Sequence, residues 1–311
     1  MSLTWPGRAR ATRPPRSLGA LDRTAPLTLV RGDGADAMGA LAARGVRAAL
    51  VYLDPPFFTG RVHRTNARDR RASGARDAFS DEWRDLPEYL EQIESLLVGA
   101  RSVLAPEGSL VLHTDPRAGH YLRVLGDEVF GDGAFASEIV WRYRRWPAKT
   151  RNFQRLHDLL LRFVRDPSAT PRFHQRHEPL AASTLRHWGA GKQQALFADG
   201  RRARSSTTEE PSPGAPLGDV WEISIIAPSG RERTGYPTQK PLALLERLVD
   251  TLTDPGDLVV DATMGSGTTL LAAWRLGRRA IGVDTSDVAH ELAARRLAGA
   301  GAPIATAEVQ A

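Results

Sequence analysis

The sequence predicts an α/β protein built on a doubly wound, mostly parallel sheet. Three observations carry this. Apolar runs of strand length at 48–53, 258–261 and 280–284 lack polar alternation, as suits strands covered on both faces. Segments of helical pattern follow or separate them. Glycine- or proline-marked turns close the strands, at 54–57 and 262–267.

The elements follow in chain order. Residues 1–26 read as a flexible basic arm rich in Arg and Pro, without the apolar stretch of a secretion signal. The run 27–30 is followed by the turn signal Arg31-Gly32-Asp33-Gly34, and 35–43 can be helical. Strand 48–53 stops at Asp54-Pro55-Pro56-Phe57. Residues 59–80 are polar, arginine-rich and without period, so they read as a long loop of the lid or disordered kind. Helix 87–104 has Pro87 in its first turn and Leu90, Ile93, Leu97 and Val98 on one face. Strand 109–113, helix 117–130 and strands 138–143 and 159–164 follow. The pattern breaks over 166–218, and 199–218 reads as mobile. Helix 239–252 has Pro241 in its first turn. It is followed by strand 258–261, a glycine turn, helix 268–276, strand 280–284 and helix 287–297. The expected organisation is a core of 27–165 and 219–298, an insertion at 166–218 and a tail at 299–311.

Composition narrows the function. The 311 residues are 41% hydrophobic and 25% charged, ordinary for a soluble domain. No apolar run approaches the roughly 20 residues that span a bilayer, so no membrane partner and a cytoplasmic location are expected. Lys+Arg number 42 against 36 Asp+Glu, and only Lys149, Lys192 and Lys240 are lysines. A coding bias accounts for most of that arginine; affinity for phosphates is the functional reading. Cysteine is absent, which excludes disulfides, thiolate metal sites and cysteine nucleophiles. His174, His177 and His187 lack regular ligand spacing, and no metal is expected.

Two constellations carry chemistry. The segment Asp261-Ala262-Thr263-Met264-Gly265-Ser266-Gly267-Thr268-Thr269 joins a strand to a helix, where glycines admit a ligand and a helix N-terminus offers free N–H groups. Asp284 ends the next strand, where a carboxylate can hold both hydroxyls of a ribose. Thr268 stands where a phosphate-cradling loop needs lysine, which disfavours a nucleoside triphosphate. A plain helix-packing turn is the simpler alternative. Asp54-Pro55-Pro56-Phe57 is either a rigid turn with Phe57 in the core or an amine-polarising corner. The amino nitrogen of adenine or cytosine is a poor nucleophile, because its lone pair is delocalised into the ring. A carboxylate and a proline-flanked carbonyl accepting its two hydrogens would localise that pair, and an aromatic ring could stack on a base taken out of the duplex.

Together these motifs resemble the DNA amino-methyltransferases. Asp54 to Phe57 resembles their catalytic motif, and Asp261 to Thr269 their cofactor motif. Thr238-Gln239-Lys240-Pro241 resembles their additional cofactor motif. The order, catalytic before cofactor, is that of the circularly permuted β class. The resemblance runs from about 27 to 297. It implies a Rossmann-like methyltransferase fold, S-adenosylmethionine as cofactor and double-stranded DNA as partner. A cognate restriction endonuclease and a homodimer are further candidates. Asp54, Pro55, Pro56 and Phe57 become the catalytic set. Asp33, Gly34, Asp54, Thr238 to Pro241, Asp261, Thr263, Met264, Gly265, Ser266, Gly267, Thr268, Thr269 and Asp284 become the cofactor set, with Asp33 contacting the adenine. The segments 139–143 and 153–159 resemble the lining of the target-base pocket, and 166–218 takes the place of the target-recognition region.

Trp141, Tyr143, Phe153 and His157 are therefore candidates for the base, and Arg61, Arg64, Arg145 and Lys149 for DNA phosphates. A solvated edge strand and a solvated loop are the plain alternatives. Two departures stand out. Ala262 and Thr263 replace the usual Pro-Phe, and Asp284 stands where glutamate is commoner. The aspartate of the catalytic motif leans to adenine N6, whereas cytosine N4 enzymes more often resemble Ser-Pro-Pro-Tyr or Ser-Pro-Pro-Phe. An RNA methyltransferase and a non-catalytic DNA-binding relative are the other classes compatible with the motifs. The missing cysteine argues against methylation at cytosine carbon 5, which in the families performing it resembles a thiolate mechanism.

Overall fold

A computed structural model of the chain describes residues 3–5, 8, 16–22, 24–65, 76–147, 149, 151–198 and 201–310. The chain divides into two units, Met1–Phe173 with Asp219–Ala311, and His174–Gly218. The larger unit begins with β1 (Ser17–Leu18), β2 (Leu27–Arg31), α1 (Gly34–Ala43), β3 (Ala48–Leu53), β4 (Arg61–Arg64) and β5 (Asp77–Asp81). It continues with α2 (Leu86–Val103), β6 (Leu104–Thr114), α3 (Gly119–Phe130), β7 (Phe135–Arg142) and β8 (His157–Val164). The smaller unit holds β9 (His177–Glu178), α4 (Ala182–Trp188), β10 (Gly191–Ala198), β11 (Arg201–Pro211) and β12 (Ala215–Pro216). The larger unit resumes with β13 (Val220–Glu222), α5 (Leu242–Leu252), β14 (Leu258–Asp261), α6 (Thr268–Arg275), β15 (Arg279–Asp284), α7 (Asp287–Gly299) and β16 (Ile304–Gln310).

One ten-stranded sheet organises the larger unit, in the order β1-β16-β2-β15-β14-β3-β6-β8-β7-β13. From β16 through β6 all neighbours are parallel; β8 runs antiparallel to both β6 and β7. All six residues of β3 are buried, which explains why its apolar run shows no alternation. Helices cover the sheet with their apolar sides. Asp85 caps α2 through the Glu88 N–H, with Pro87 in the first turn. In α5, Leu244, Leu245, Leu248, Val249 and Leu252 are buried.

Several expectations are corrected. The loop at 59–80 contains a hairpin, with β4 antiparallel to β5; residues 66–75 lie outside the described part. His63 stacks on its cross-strand partner Phe79 at 4.6 Å, a pairing hidden among arginines in the sequence. The described parts of the basic arm make side-chain contacts with the rest of the larger unit. The Trp5 indole donates to Glu91 at 3.1 Å, and Arg8 pairs with Glu94 and Glu128. The expected tail supplies β16, which lies parallel to β2 over five register positions. Residues 166–173 belong to the larger unit, where Arg172 binds Glu107, Asp254 and Asp257. In the smaller unit, part of the stretch expected to be mobile forms an antiparallel hairpin, β10 with β11. Its second strand reads as Arg, Ser, Thr and Glu. Backbone pairing defines this hairpin, and an apolar pattern could not have announced it. Among the described residues, no helix is long and apolar enough to cross a membrane.

Candidate active site

Strands β2, β15, β14, β3 and β6 are consecutive neighbours pointing the same way. Their carboxyl ends therefore form one edge, where open α/β sheets bind ligands. Asp33 follows β2, Asp284 ends β15, Asp261 ends β14, Asp54 follows β3, and His113 lies near the end of β6. A cavity of about 750 Å³ opens at this edge, a size usual for cofactor sites.

The two corners predicted from sequence meet there. The Asp54 N–H donates to the Thr263 hydroxyl at 2.7 Å, across 209 residues of chain. Thr263 is itself held by Asp261, whose Oδ1 accepts the Thr263 N–H at 3.0 Å. The residue that departs from the family pattern is thus the tie between the motifs. The third motif closes the arrangement, with Lys240 Nζ 2.5 Å from Asp54 Oδ2. Asp54 Oδ1 is buried without a hydrogen-bond partner among the described residues; His113 Nδ1 stands 3.8 Å away. Unsatisfied buried acceptors are rare, so an oxygen of this kind is a candidate contact for a donor on a ligand.

Most of the predicted cofactor residues line the cavity: Asp33, Gly34, Asp54, Thr238, Gln239, Lys240, Asp261, Thr263, Met264, Gly265, Ser266, Thr268, Thr269 and Asp284. Two do not. Pro241 caps α5. Gly267 caps α6 with φ 73°, and a Cβ there would meet Ala293 at 3.0 Å, so it serves helix packing. Gln239 mainly shapes its own turn, since its amide binds Thr234 and the Glu232 carbonyl. Asp33 caps α1 by accepting the Ala35 and Asp36 N–H groups. Asp284 accepts the Gly265 and Ser286 N–H groups, each at 2.8 Å.

This edge is acidic, and two of its carboxyls are buried. Burial pushes the Asp261 carboxyl up to about 7, helped by the nearby charges of Asp54 and Asp284. Burial likewise raises Asp284, against the N–H groups that favour its charge. Such a site favours a cationic partner.

The base-side candidates are rearranged. Phe57 is half-buried, with His113 at 5.6 Å and the Lys240 ammonium 5.0 Å from its ring centre. Trp141 and Tyr143 are corrected: they are 2% and 3% exposed and face inward with Ile139. The Trp141 indole donates to the Ile223 carbonyl at 2.8 Å, and the Tyr143 hydroxyl to Asp158 at 2.9 Å. They support the site and offer no open stacking face. His157 is half-buried, and its neighbour Asp158, in the same predicted segment, reaches inward to 3.4 Å from His113 Nε2. Phe153 is 99% exposed, and Arg61, Arg64, Arg145 and Lys149 lie on the surface, with Arg64 paired to Asp77.

Sequence reasoning did not single out Tyr52, His113 or Asp81. Tyr52 and His113 share a 2.7 Å hydrogen bond in full burial. A histidine ending the apolar run 109–113 was the available signal. Among the described residues, no group of three or more His, Asp and Glu could hold a metal ion.

A buried carboxylate oxygen without a partner among the described residues, beside a cavity of cofactor size, marks a candidate contact for a hydrogen-bond donor. The chain belongs to the DNA methylase family, whose N6/N4 model matches residues 48–295. It is 28% identical to the type II methyltransferase M.EcaI of Enterobacter cloacae, over 90% of this chain and 71% of that one. It is 27% identical to the type II methyltransferase M.HpaI of Haemophilus parainfluenzae, over 80% and 67%. The fold matches the M1.HpyAVI–SAM complex with a TM-score of 0.55 at 19% identity, covering 87% of this chain and 98% of that one.

Proposed function

We propose that this DNA methyltransferase acts on adenine N6 in duplex DNA, taking the target base out of the helix. The single observation that carries the reading is Asp54 Oδ1, buried and without a hydrogen-bond partner among the described residues, at the junction of the two corners. Its geometry suits one hydrogen of an exocyclic amino group, with the Pro55 carbonyl as the second acceptor. Lys240 holds Asp54 Oδ2 and Thr263 holds its N–H, so the carboxylate is positioned before the base arrives. That is preorganisation, which lowers a barrier without reorganising at the moment of reaction.

The cofactor is S-adenosylmethionine, which when bound supplies a methyl group already activated by its sulfonium. The acidic edge of Asp54, Asp261 and Asp284 suits that cation, and the strand-end position of Asp284 suits its ribose. Aspartate in the catalytic motif supports adenine over cytosine. The type II relatives M.EcaI and M.HpaI support a restriction–modification setting, with a cognate endonuclease as second partner.

DNA methylated by the chain is digested to nucleosides and weighed by mass spectrometry. N6-methyladenine is expected, and N4-methylcytosine alone overturns the base assignment. Asp54→Ala is expected to lower transfer by at least about a hundredfold while keeping the fold. Near-normal turnover by that variant refutes the site.

A further inference from the structure

Asp81 lies outside the motifs described above, yet it is 1% exposed and heavily bonded. Its carboxylate accepts three successive main-chain N–H groups, of Phe57 at 3.2 Å, Phe58 at 2.9 Å and Thr59 at 2.8 Å. The Thr59 hydroxyl and the Trp83 indole donate to it as well. Phe58 adopts φ 58°, in the left-handed region that a non-glycine residue avoids unless its surroundings impose it. Asp81 is what gathers the amides around that turn.

Asp81 is also the last residue of β5. The five residues before it, Arg76 to Ser80, line the cofactor cavity. Arg76 forks onto Glu291 of α7 at 2.6 and 3.2 Å, and Phe79 stacks on Tyr236 at 6.3 Å. One short segment therefore lines the cavity with five residues and grips the Asp54–Phe57 corner with the sixth.

We propose that Asp81 is a positioning residue that couples the two substrate sites. Filling the cavity restrains β5, and β5 through Asp81 fixes the turn 57–59, hence the Pro55 carbonyl and the Phe57 ring. The coupling is thermodynamic and reciprocal: whatever orders the corner also favours the cofactor. The physical carrier is a single hydrogen-bonded element. This inference rests on the reading of the Asp54–Phe57 corner as the base site.

Hydrogen–deuterium exchange of the full chain, with and without S-adenosylhomocysteine, tests the coupling. In the wild type, the ligand is expected to slow exchange at Phe57, Phe58 and Thr59 together with β5, by about tenfold or more. In Asp81→Asn, β5 is still protected by the ligand but the corner amides no longer respond. Methyl transfer to DNA from a methylation-deficient host falls about a hundredfold, while the KM for cofactor rises by at most about tenfold, the amount that the reciprocal coupling supplies. Arg76→Ala, which leaves Asp81 intact, gives a weaker response at both places and serves if Asp81→Asn does not fold. Corner amides indifferent to the ligand in the wild type, or a full response in a folded Asp81→Asn, overturn the proposal. A corner that tightens in a chain methylating no DNA removes the base-site reading and leaves the coupling standing. A methylating chain whose corner ignores the ligand removes the coupling alone.

Discussion

At Thr263 a single hydroxyl does what a bulky family residue cannot, because only a donor–acceptor side chain can join the Asp261 carboxylate to the Asp54 N–H. The same neighbourhood predicts a pH effect. Asp261 titrates near 7 in the fold, against 3.8 for the free group. The folded chain therefore holds a proton there that the unfolded chain has lost. That stability is complete below about pH 4 and drains away as pH rises through 7. A cation beside the carboxylate favours its charged form. Cofactor affinity is accordingly expected to climb as pH approaches 7 and then level off, with proton release on binding, and to lose this slope in Asp261→Asn. Calorimetry from pH 6 to 8 in buffers of differing ionisation enthalpy measures both. Affinity that falls with rising pH contradicts the assignment.

Among the elements, α3 shows how tightly a helix is set on the sheet. A Cβ at Gly126 would stand 2.2 Å from the Phe163 ring, which is fully buried and packed by Phe130 and Phe135. Helix propensity alone favours Gly126→Ala by up to about 1 kcal/mol. The overlap is expected to prevail, destabilising the fold by about 1–3 kcal/mol. Urea denaturation decides the sign, and a more stable variant refutes the close packing. The helices and buried strands were legible because burial on both faces writes itself as an unbroken apolar run, as in β3. The corners were legible because Asp-Pro-Pro and Gly-Ser-Gly are backbone devices visible in any context. The β4–β5 hairpin was not, since a ring stack between His63 and Phe79 exists only once the strands pair. Which of His157 and Asp158 reaches inward has a similar cause. A strand's alternation shows which residues share a face, but only the pairing with β6 and β7 shows which face meets the site.

At the scale of the molecule, the sheet interleaves distant parts of the chain. β14 and β15 lie between β2 and β3, although about 200 residues of sequence separate them. The amino-terminal part contributes Asp33 and Asp54 to the site, and the carboxyl-terminal part Asp261 and Asp284. A chain divided between Ser212 and Pro213, inside the smaller unit, is expected to yield fragments that do not bind S-adenosylhomocysteine singly and do so when co-expressed. Equilibrium dialysis measures this, and a lone fragment that binds would show that the interleaving is not needed.

The same strand order bears on how the protein is made. While the ribosome is still extending the nascent chain, β2 and β3 have no neighbour for their facing edges, and both strands are too apolar to be left in water. Until residue 284 has emerged, the newborn chain carries an open seam in its centre.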